Sequence, residues 1–298
     1  MKPIFGVHTG LQDTSVAELR SLWTRIEELG FDWISIWDHF YAADLVSTHS
    51  HEAVAAHAAL ACHTERVRCG SLVYCAGYRH PAVLANAIST IDHLSGGRAE
   101  LGIGAGWAQP EYDAYGIDFP SPGTRLDMLE ESVACVRSLL REEVSDFAGQ
   151  HFTLTDAHCD PKPVQAELPI WIGGGGEKRT LRIAARYADG WNVPFVSPEV
   201  FAHKRGVLHG HCADLGRDAS QIRCAVNLGV APDEDALARQ FGAIADMVRP
   251  GVLMGSPEQM TDTIGRYADA GVDQINLAMR APWEHDLLEI LGETISRM

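Results

Sequence analysis

Short runs of apolar and β-branched residues alternate along the chain with longer segments in which apolar residues recur every three or four positions. The short runs predict strands, and the longer segments predict amphipathic helices. A strand followed by a helix, repeated many times, is typical of βαβ units and therefore of a parallel sheet. The predicted strands number eight and cover residues 4–8, 33–37, 67–73, 99–103, 169–172, 190–193, 222–230 and 274–278.

Helices are predicted after these strands at 16–29, 52–63, 82–94, 126–140, 178–187, 198–215, 234–247 and 257–270, with a closing helix to 297. Two stretches interrupt this rhythm: 107–123, which is rich in Gly, Pro and Tyr, and 144–165, which we interpret as a loop or small hairpin. The pattern predicts one domain over residues 1–298, folded as an α/β (β/α)8 TIM barrel with insertions after strand 4 and before strand 5. A doubly wound open sheet is the alternative, but His8-Thr9-Gly10 after the first strand lacks the G-x-G-x-x-G turn.

Composition argues against several classes of binding partner and structural site. A formal net charge of −16 argues against a nucleic-acid surface, which needs clustered Lys and Arg. The seven cysteines are far apart and have no paired short spacing, so neither a disulfide framework nor a zinc knuckle is indicated. No stretch reaches transmembrane length and the chain opens without an apolar signal core, so we expect a cytoplasmic protein that does not bind membranes.

Polar side chains follow two of the predicted strands directly. Asp38 and His39 come after the second strand, where a barrel places catalytic groups, but they would equally suit a capping Asp and a space-filling His. Arg79 and His80 come after the third strand and either face the pocket or pair with acidic groups at the rim. Position alone leaves both alternatives open.

Glycine-rich turns follow the fourth and fifth strands. The segment 102–107 (GIGAGW) offers small residues that admit a flat ligand and an indole that could cover it, although glycine runs also mark tight turns. The four glycines at 173–176 precede a helix, whose N-terminus favours a phosphate. A flexible connector is less favoured there, because a mobile glycine run would cost backbone entropy without return.

Fourteen histidines, including the pair in His49-Ser50-His51, raise the alternative of a metal-dependent hydrolase barrel. That pair precedes a helix instead of ending a strand. His51, His57 and His63 are six positions apart and do not share a helical face. We therefore expect no metal.

Several longer motifs resemble a known family. They are WDHF (37–40), GYRHPAVLAN (77–86), LSGGRAELGIGAGW (94–107), FAGQHF (147–152), PKPVQ (161–165), PIWIGGGGEKRTLRIAARYADGW (169–191) and GSPEQM (255–260). Through them nearly the whole chain is similar to the bacterial luciferase-like superfamily of barrel oxidoreductases, and especially to its branch of coenzyme F420-dependent enzymes from actinobacteria. These motifs are specific for the superfamily and much less specific for the cofactor.

The resemblance implies a cofactor ring that lies over a bulge at the end of the third strand, often with a non-proline cis peptide, here at or beside Leu72-Val73. It implies that Asp38 and His39 contact the deazaflavin and handle the substrate proton, and that the two glycine turns hold the ring and its phosphate-bearing tail. It also implies a homodimer. The implied cofactor-binding residues are Asp38, Ser71, Leu72, Val73, Cys75, Gly104, Ala105, Gly106, Trp107, Ile172, Gly173, Gly174, Gly175 and Gly176.

One position departs from the family pattern. Sugar-phosphate dehydrogenases of the F420 branch carry a Glu directly after the turn that precedes Trp107, so a sugar phosphate is not the expected substrate. An apolar, aromatic substrate pocket is indicated instead, with some of its rings serving only for packing. The aromatic residues that suggest it are Tyr41, Trp107, Tyr112, Tyr115 and Phe119.

We therefore expect an oxidoreductase that transfers a hydride between F420 and a small organic, apolar or aromatic substrate, with catalytic residues His39 as general acid or base and Asp38 orienting it. The alternative is a reduced-FMN-dependent monooxygenase of the luciferase-like type, in which the same pocket would exclude water. A third reading, a noncatalytic flavin-binding protein on the same barrel, is weakened by the presence of Asp38 and His39 at the rim.

Overall fold

The strands of the protein run almost entirely parallel. A computed structural model describes residues 2–42 and 47–297. Over these residues the strands are β1 (Ile4–Thr9), β2 (Trp33–Ile36), β3 (Arg68–Ser71), β4 (Tyr74–Cys75), β5 (Ala99–Gly104), β6 (Ser145–Ala148), β7 (Thr153–Ala157), β8 (Ile170–Gly173), β9 (Gly190–Pro194), β10 (Arg223–Ala231), β11 (Val252–Met254) and β12 (Gln274–Met279).

The helices lie between these strands. They are α1 (Val16–Glu28), α2 (Ala53–His63), α3 (Pro81–Ser95), α4 (Gln109–Tyr115), α5 (Pro122–Arg141), α6 (Thr180–Tyr187), α7 (Pro198–Asp214), α8 (Glu234–Phe241), α9 (Ala245–Val248), α10 (Pro257–Asp269) and α11 (His285–Arg297). Local sequence explains their ends. In α1, for example, Ser15 caps the helix reciprocally with Glu18, and the buried face carries Leu19, Leu22 and Ile26.

Eight parallel strands close into a ring in the order β1, β2, β3, β5, β8, β9, β10, β12 and back to β1. The predicted TIM barrel is therefore confirmed. Trp33, Leu72, Trp171 and Ala225 pack together as one cluster. A larger apolar cluster joins the strands to the surrounding helices. This closed barrel brings the carboxyl ends of the strands to one rim.

The two interruptions have different structures. The segment 144–165 contains the antiparallel hairpin of β6 and β7, as the hairpin interpretation expected. The segment 107–123 contains α4, which we did not predict. Its signals are weak because α4 is short, although Pro110 lies in its first turn and Gly116 ends it in the left-handed conformation.

The predicted helix 234–247 is wrong in its second half. The helix α8 ends at Phe241 because Gly242 adopts φ +50° and ψ −126°, which is outside the helical region. A single turn of 3₁₀ helix and the four-residue α9 follow. This break matters for function, since it turns Ile244 and Met247 toward the carboxyl ends of the strands.

The length of the helices and the arrangement of the His, Cys, Asp and Glu side chains bear on membrane crossing, metal binding and disulfide formation. Across 2–42 and 47–297, no helix combines the length and apolar character that crossing a bilayer requires. In the same part of the chain, no three His, Cys, Asp or Glu side chains gather in an arrangement that could hold a metal ion. All seven cysteines are free, and six of them are buried.

Candidate active site

A cavity of about 380 Å³ opens at the carboxyl ends of the barrel strands. Its wall brings together residues that follow seven of the eight barrel strands, namely β2, β3, β5, β8, β9, β10 and β12. Of the residues predicted from the sequence, the wall includes Asp38, His39, Leu72, Val73, Cys75, Gly104, Ala105, Gly106, Trp107, Gly173 and Gly174. Four others lie outside it: Ser71 and Ile172 are buried beneath the wall, and Gly175 and Gly176 continue the turn beyond it.

The bulge expected at the end of the third strand is present between β3 and β4: Gly70 pairs with Glu100 and Tyr74 pairs with Ile103, so one extra residue lies between them. The Leu72-Val73 peptide bond in this bulge is cis. Val73 projects between the ends of two neighbouring strands. A Cβ atom at Gly104 would lie 2.7 Å from Val73 Cγ2, and one at Gly173 would lie 2.6 Å from Val73 Cγ1. These two glycines are therefore needed to make room for Val73, before any ligand is considered.

The imidazole of His39 is held by a carboxylate that the sequence analysis missed. His39 Nδ1 lies 2.8 Å from Glu111 Oε1, while Glu111 Oε2 accepts hydrogen bonds from Tyr78 Oη at 2.5 Å and from the Phe40 backbone N–H at 3.2 Å. The Glu111 side chain is fully buried. Burial alone would raise the pKa of Glu111, but the hydrogen bond and charge of His39 and the hydrogen bonds from Tyr78 and Phe40 outweigh it and lower the pKa below its usual value.

The position of Asp38 corrects a prediction. Its carboxylate accepts hydrogen bonds from the Cys75 backbone N–H and from Arg79, so the carboxylate that contacts His39 is that of Glu111, and not that of Asp38 as we predicted. Of the alternatives left open for Arg79, the structure shows pairing with acidic groups, because its guanidinium also contacts Glu52 at 2.6 Å.

The thiol of Cys75 also belongs to the wall. Burial raises its pKa to about 11, and this effect outweighs the hydrogen bond with Tyr112 Oη at 2.8 Å. Cys75 is therefore a neutral thiol near pH 7. It contributes shape and polarity to the cavity and not a nucleophile.

A second imidazole, that of His8, lines the cavity. Its Nδ1 lies 2.8 Å from Ser35 Oγ. Burial, reinforced by the charges of Arg280 and His39, lowers the pKa of His8 to about 3. His8 therefore stays neutral near pH 7 and offers a hydrogen bond without a charge. From the sequence, His8 was expected at the end of the first strand and the start of the following turn, with no role in the site.

The aromatic pocket is built differently from our prediction. Of the five aromatic residues proposed for it, Trp107 is the one in the cavity wall, 56% exposed and edge-on to His39 with ring centroids 5.3 Å apart. Tyr112 is fully buried behind Cys75, and Phe119 packs against Tyr112. The cavity instead gains its apolar side from residues after β9 and β10, which are Phe195, Ile244 and Met247.

The tetraglycine turn is held in place and is not a loose connector. The Gly174 N–H donates to the Asn192 carbonyl at 2.9 Å, and Lys204 Nζ donates to the Gly175 carbonyl at 2.8 Å. Within the described ranges, the backbone N–H groups of Gly175 and Gly176 have no hydrogen-bond acceptor. Two backbone donors are thus available in the turn between β8 and α6, which begins at Thr180.

With this geometry, the family can be stated. The family of luciferase-like monooxygenases has a sequence model that matches residues 4–241. The chain belongs to this family. The resemblance found in the WDHF, GIGAGW and tetraglycine motifs is therefore confirmed at the level of the superfamily.

Individual relatives in the family differ in what they are known to do. An uncharacterised protein from Mycobacterium tuberculosis is 32% identical over 206 residues, which cover 69% of this chain and 70% of that protein. An F420-dependent glucose-6-phosphate dehydrogenase from Kineococcus radiotolerans is 34% identical over 237 residues, covering 77% of this chain and 68% of that enzyme.

Solved structures share the whole fold. An F420-dependent secondary alcohol dehydrogenase in complex with an F420-acetone adduct superposes with a TM-score of 0.88 at 24% identity, covering 99% of both chains. The FMN complex of the oxygenating constituent of 3,6-diketocamphane monooxygenase, from the CAM plasmid of Pseudomonas putida, gives 0.76 at 18% identity, covering 100% of this chain and 99% of that one. The characterised relatives among these are oxidoreductases named with F420 or FMN, and this protein is an oxidoreductase of the same family.

Proposed function

We propose that this enzyme transfers a hydride between coenzyme F420 and a small apolar organic substrate, with His39 as the general acid or base. The observation that carries this proposal is the position of the His39 ring in the same cavity as Val73 and the glycine turns. The cavity therefore offers both a surface for a flat ring and a group that can move a proton beside it.

The cavity has polar atoms that suit the edge of such a ring. Asn192 Oδ1 and Trp37 Nε1 are buried in its wall and have no hydrogen-bond partner within the described part of the chain. Buried polar groups in folded proteins are almost always paired. A flavin or deazaflavin ring carries N–H and carbonyl groups on one edge, and these would satisfy an acceptor and a donor of this kind.

The tetraglycine turn suits the anionic tail of the cofactor. The N–H groups of Gly175 and Gly176 are available, and the positive end of the α6 dipole begins four residues after Gly176, at Thr180. Lys204, which also pairs with Glu177, adds a cation on the same turn. A phosphate would gain charge-assisted hydrogen bonds at this position. Binding of the tail would therefore extend from the cavity wall onto Gly175 and Gly176, as the sequence analysis expected.

Chemistry in the cavity divides between the cofactor and the chain. When bound, F420 supplies the two-electron hydride transfer. Because His39 Nδ1 is engaged by Glu111, Nε2 is the ring nitrogen that remains to take a proton from a substrate hydroxyl or return one to a carbonyl. Trp107 and Met247 supply apolar contacts for the rest of the substrate.

Similarity to F420-dependent relatives supports the deazaflavin over FMN. A reduced-FMN monooxygenase is the alternative, and the FMN-containing structural neighbour favours it. The features of the cavity that suit the ring edge and the phosphate suit both cofactors. Only a direct comparison of binding separates them.

The test is titration of the purified protein with F420 and, separately, with FMN, following cofactor fluorescence. We expect a micromolar dissociation constant for F420 and at least about tenfold weaker binding of FMN, a difference of about 1.4 kcal/mol. Micromolar FMN binding without F420 binding would reverse the assignment. A panel of secondary alcohols and ketones, with glucose 6-phosphate as the control substrate, should then show F420-dependent turnover of apolar members only. Binding without turnover of any substrate would favour a noncatalytic protein.

Homodimer formation and a cytoplasmic location stay predictions. Apart from two histidines and Cys62, the helix α2 consists of Ala, Val and Leu, and its Ala55 is exposed, which would suit contact with a second copy. Light scattering on the purified protein should give twice the chain mass of 32.5 kDa if the dimer forms.

A further inference from the structure

Glu111, in the insertion after β5, contacts the imidazole of His39 on the loop after β2. We propose that Glu111 is a positioning residue that keeps His39 in the tautomer protonated at Nδ1, so that Nε2 is the proton-accepting atom in the cavity. The use of Nε2 in catalysis rests on the proposed function. The tautomer itself depends only on contacts within the protein.

The hydrogen-bond partners of the Glu111 carboxylate determine which atom of each pair carries the hydrogen. The Phe40 backbone N–H can only donate, and it points to Glu111 Oε2 together with Tyr78 Oη. Glu111 thus accepts on Oε2, as an ionised carboxylate does. The remaining oxygen, Oε1, faces His39 Nδ1 at 2.8 Å, and a carboxylate can only accept there. His39 Nδ1 must therefore carry the hydrogen.

The charge of Glu111 makes this arrangement persist. Its side chain is fully buried, so an unbalanced carboxylate would be costly there. Three donors surround it. Their hydrogen bonds, together with the charge of a protonated His39, outweigh burial and hold the pKa of Glu111 below its usual value. Near pH 7 Glu111 is ionised and remains an acceptor toward His39.

Packing fixes the carboxylate in place. The Tyr78 ring lies between Phe40 and Tyr112, with centroid separations of 4.6 Å and 4.8 Å. The Tyr112 hydroxyl is in turn bound to Cys75 Sγ. Glu111 stands next to Tyr112 on α4 and so shares this rigid environment. The helix that the sequence pattern missed thereby controls the proton on His39.

Nitrogen NMR tests the tautomer directly. The protein is labelled with 15N-histidine and studied without cofactor at about pH 8, where an ordinary imidazole is neutral. His39→Asn assigns the resonances of His39 by their disappearance. We expect a protonated Nδ1 and an unprotonated Nε2 in the wild-type spectrum. An unprotonated Nδ1 in the wild type would overturn the proposal without any variant.

Two variants separate charge from packing. In Glu111→Gln the amide oxygen can accept from Phe40 and Tyr78 while the amide NH₂ donates to His39, so we expect the proton to move to Nε2. In Tyr78→Phe the carboxylate remains, and we expect the wild-type tautomer. A Glu111→Gln protein that keeps the proton on Nδ1 would contradict a positioning role and leave Glu111 as a packing residue.

Kinetics then connects the tautomer with turnover. Glu111→Gln should lower kcat at least about 100-fold, while the dissociation constant of F420 changes less than about threefold, because Nε2 can no longer accept a proton. Failure of the wild type to bind F420 would overturn the proposed function and leave the NMR result standing. An unchanged kcat in a variant whose tautomer has switched would overturn the catalytic use of Nε2.

Discussion

Both terminal nitrogens of Arg79 contact the carboxylate of Asp38, with Nη1 2.5 Å from Oδ2 and Nη2 3.0 Å from Oδ1. The Asp38 side chain is 2% exposed, and that of Arg79 is 14% exposed. The Cys75 N–H donates to the same carboxylate at 2.9 Å. Asp38 therefore ties the loop after β2 to β4 through the Cys75 N–H, and to the segment between β4 and α3 through its bidentate pair with Arg79.

Removal of the Arg79 guanidinium should leave the buried Asp38 carboxylate without its positively charged partner. We expect Arg79→Met to lower the free energy of unfolding in urea by about 3–5 kcal/mol, because Asp38 loses its buried partner. The double variant Asp38→Asn, Arg79→Met should lose less than the single one. The control is Arg249→Ala, whose pair with Glu234 is exposed, and it should hardly change stability. Equal losses for Arg79→Met and the control would contradict this account.

Because Val73 packs between Gly104 and Gly173, we expect cofactor binding to be sensitive to substitution of Gly173. A Cβ atom at Gly173 would lie 2.6 Å from Val73 Cγ1, and Val73 could not move away because its other methyl group packs against Gly104. We expect Gly173→Ala to displace Val73 and to weaken F420 binding at least about tenfold in the fluorescence titration.

The matched control is Gly206→Ala on the helix α7, where an added Cβ meets nothing within 4 Å. It should raise the free energy of unfolding by about 0.5–1 kcal/mol and leave F420 binding unchanged. If Gly173→Ala behaves like this control, Val73 does not form the surface against which the ring lies.

Loss of the His39 ring should separate binding from turnover. Because His39 is proposed to move the proton, His39→Ala should reduce kcat at least about 100-fold with the substrate found in the alcohol and ketone panel. The F420 dissociation constant should stay within about threefold, since the ring is proposed to rest on Val73 and the glycine turns. A variant with wild-type kcat would remove His39 from the proposed chemistry.

The buried imidazole of His57, which lies outside the active site, is expected to make the stability of the fold decrease in acid. Its Nε2 donates to the Cys69 carbonyl at 3.0 Å, and its Nδ1 lies 3.0 Å from Tyr74 Oη. Burial lowers the pKa of His57 to about 4, despite the Cys69 hydrogen bond, which opposes the shift. The unfolded chain binds this proton below about pH 6.5 and the folded one does not, so stability falls as the pH drops from about 6.5 toward 4.

Urea unfolding of the wild type and of His57→Gln checks this sign. Between about pH 7 and about pH 5, the wild type should lose about 2 kcal/mol more stability than the variant, whose side chain does not titrate. Carboxylates contribute equally to both proteins and cancel in the difference. Parallel losses would show that His57 is protonated in the folded state.

Much of the barrel could be predicted because its strands and helices follow the local periodicity of apolar residues. The predicted strand 99–103 and the observed Ala99–Gly104, for example, differ by one residue. The errors occur where one residue overrides that periodicity. Gly242 ends α8 early, and the seven-residue α4 is too short for its period to be recognised.

The site was predictable as far as it follows strand ends. Asp38, His39 and the glycine turns come directly after buried strands, and a closed barrel brings such positions to one rim. The partner of His39 could not be predicted, because Glu111 lies 72 residues away on α4. Ile244 and Met247 could not be predicted either, because they reach the cavity only through the helix break at Gly242.

The central claim is that one cavity holds the cofactor ring on Val73 beside His39. The most direct measurement is a crystal structure of the protein with F420 bound. Our account predicts that the ring lies in van der Waals contact with Val73, with Asn192 and Trp37 hydrogen-bonded to the ligand. A ring bound elsewhere, such as in the cavity near Arg68 and Arg223 at the opposite end of the barrel, would contradict the account.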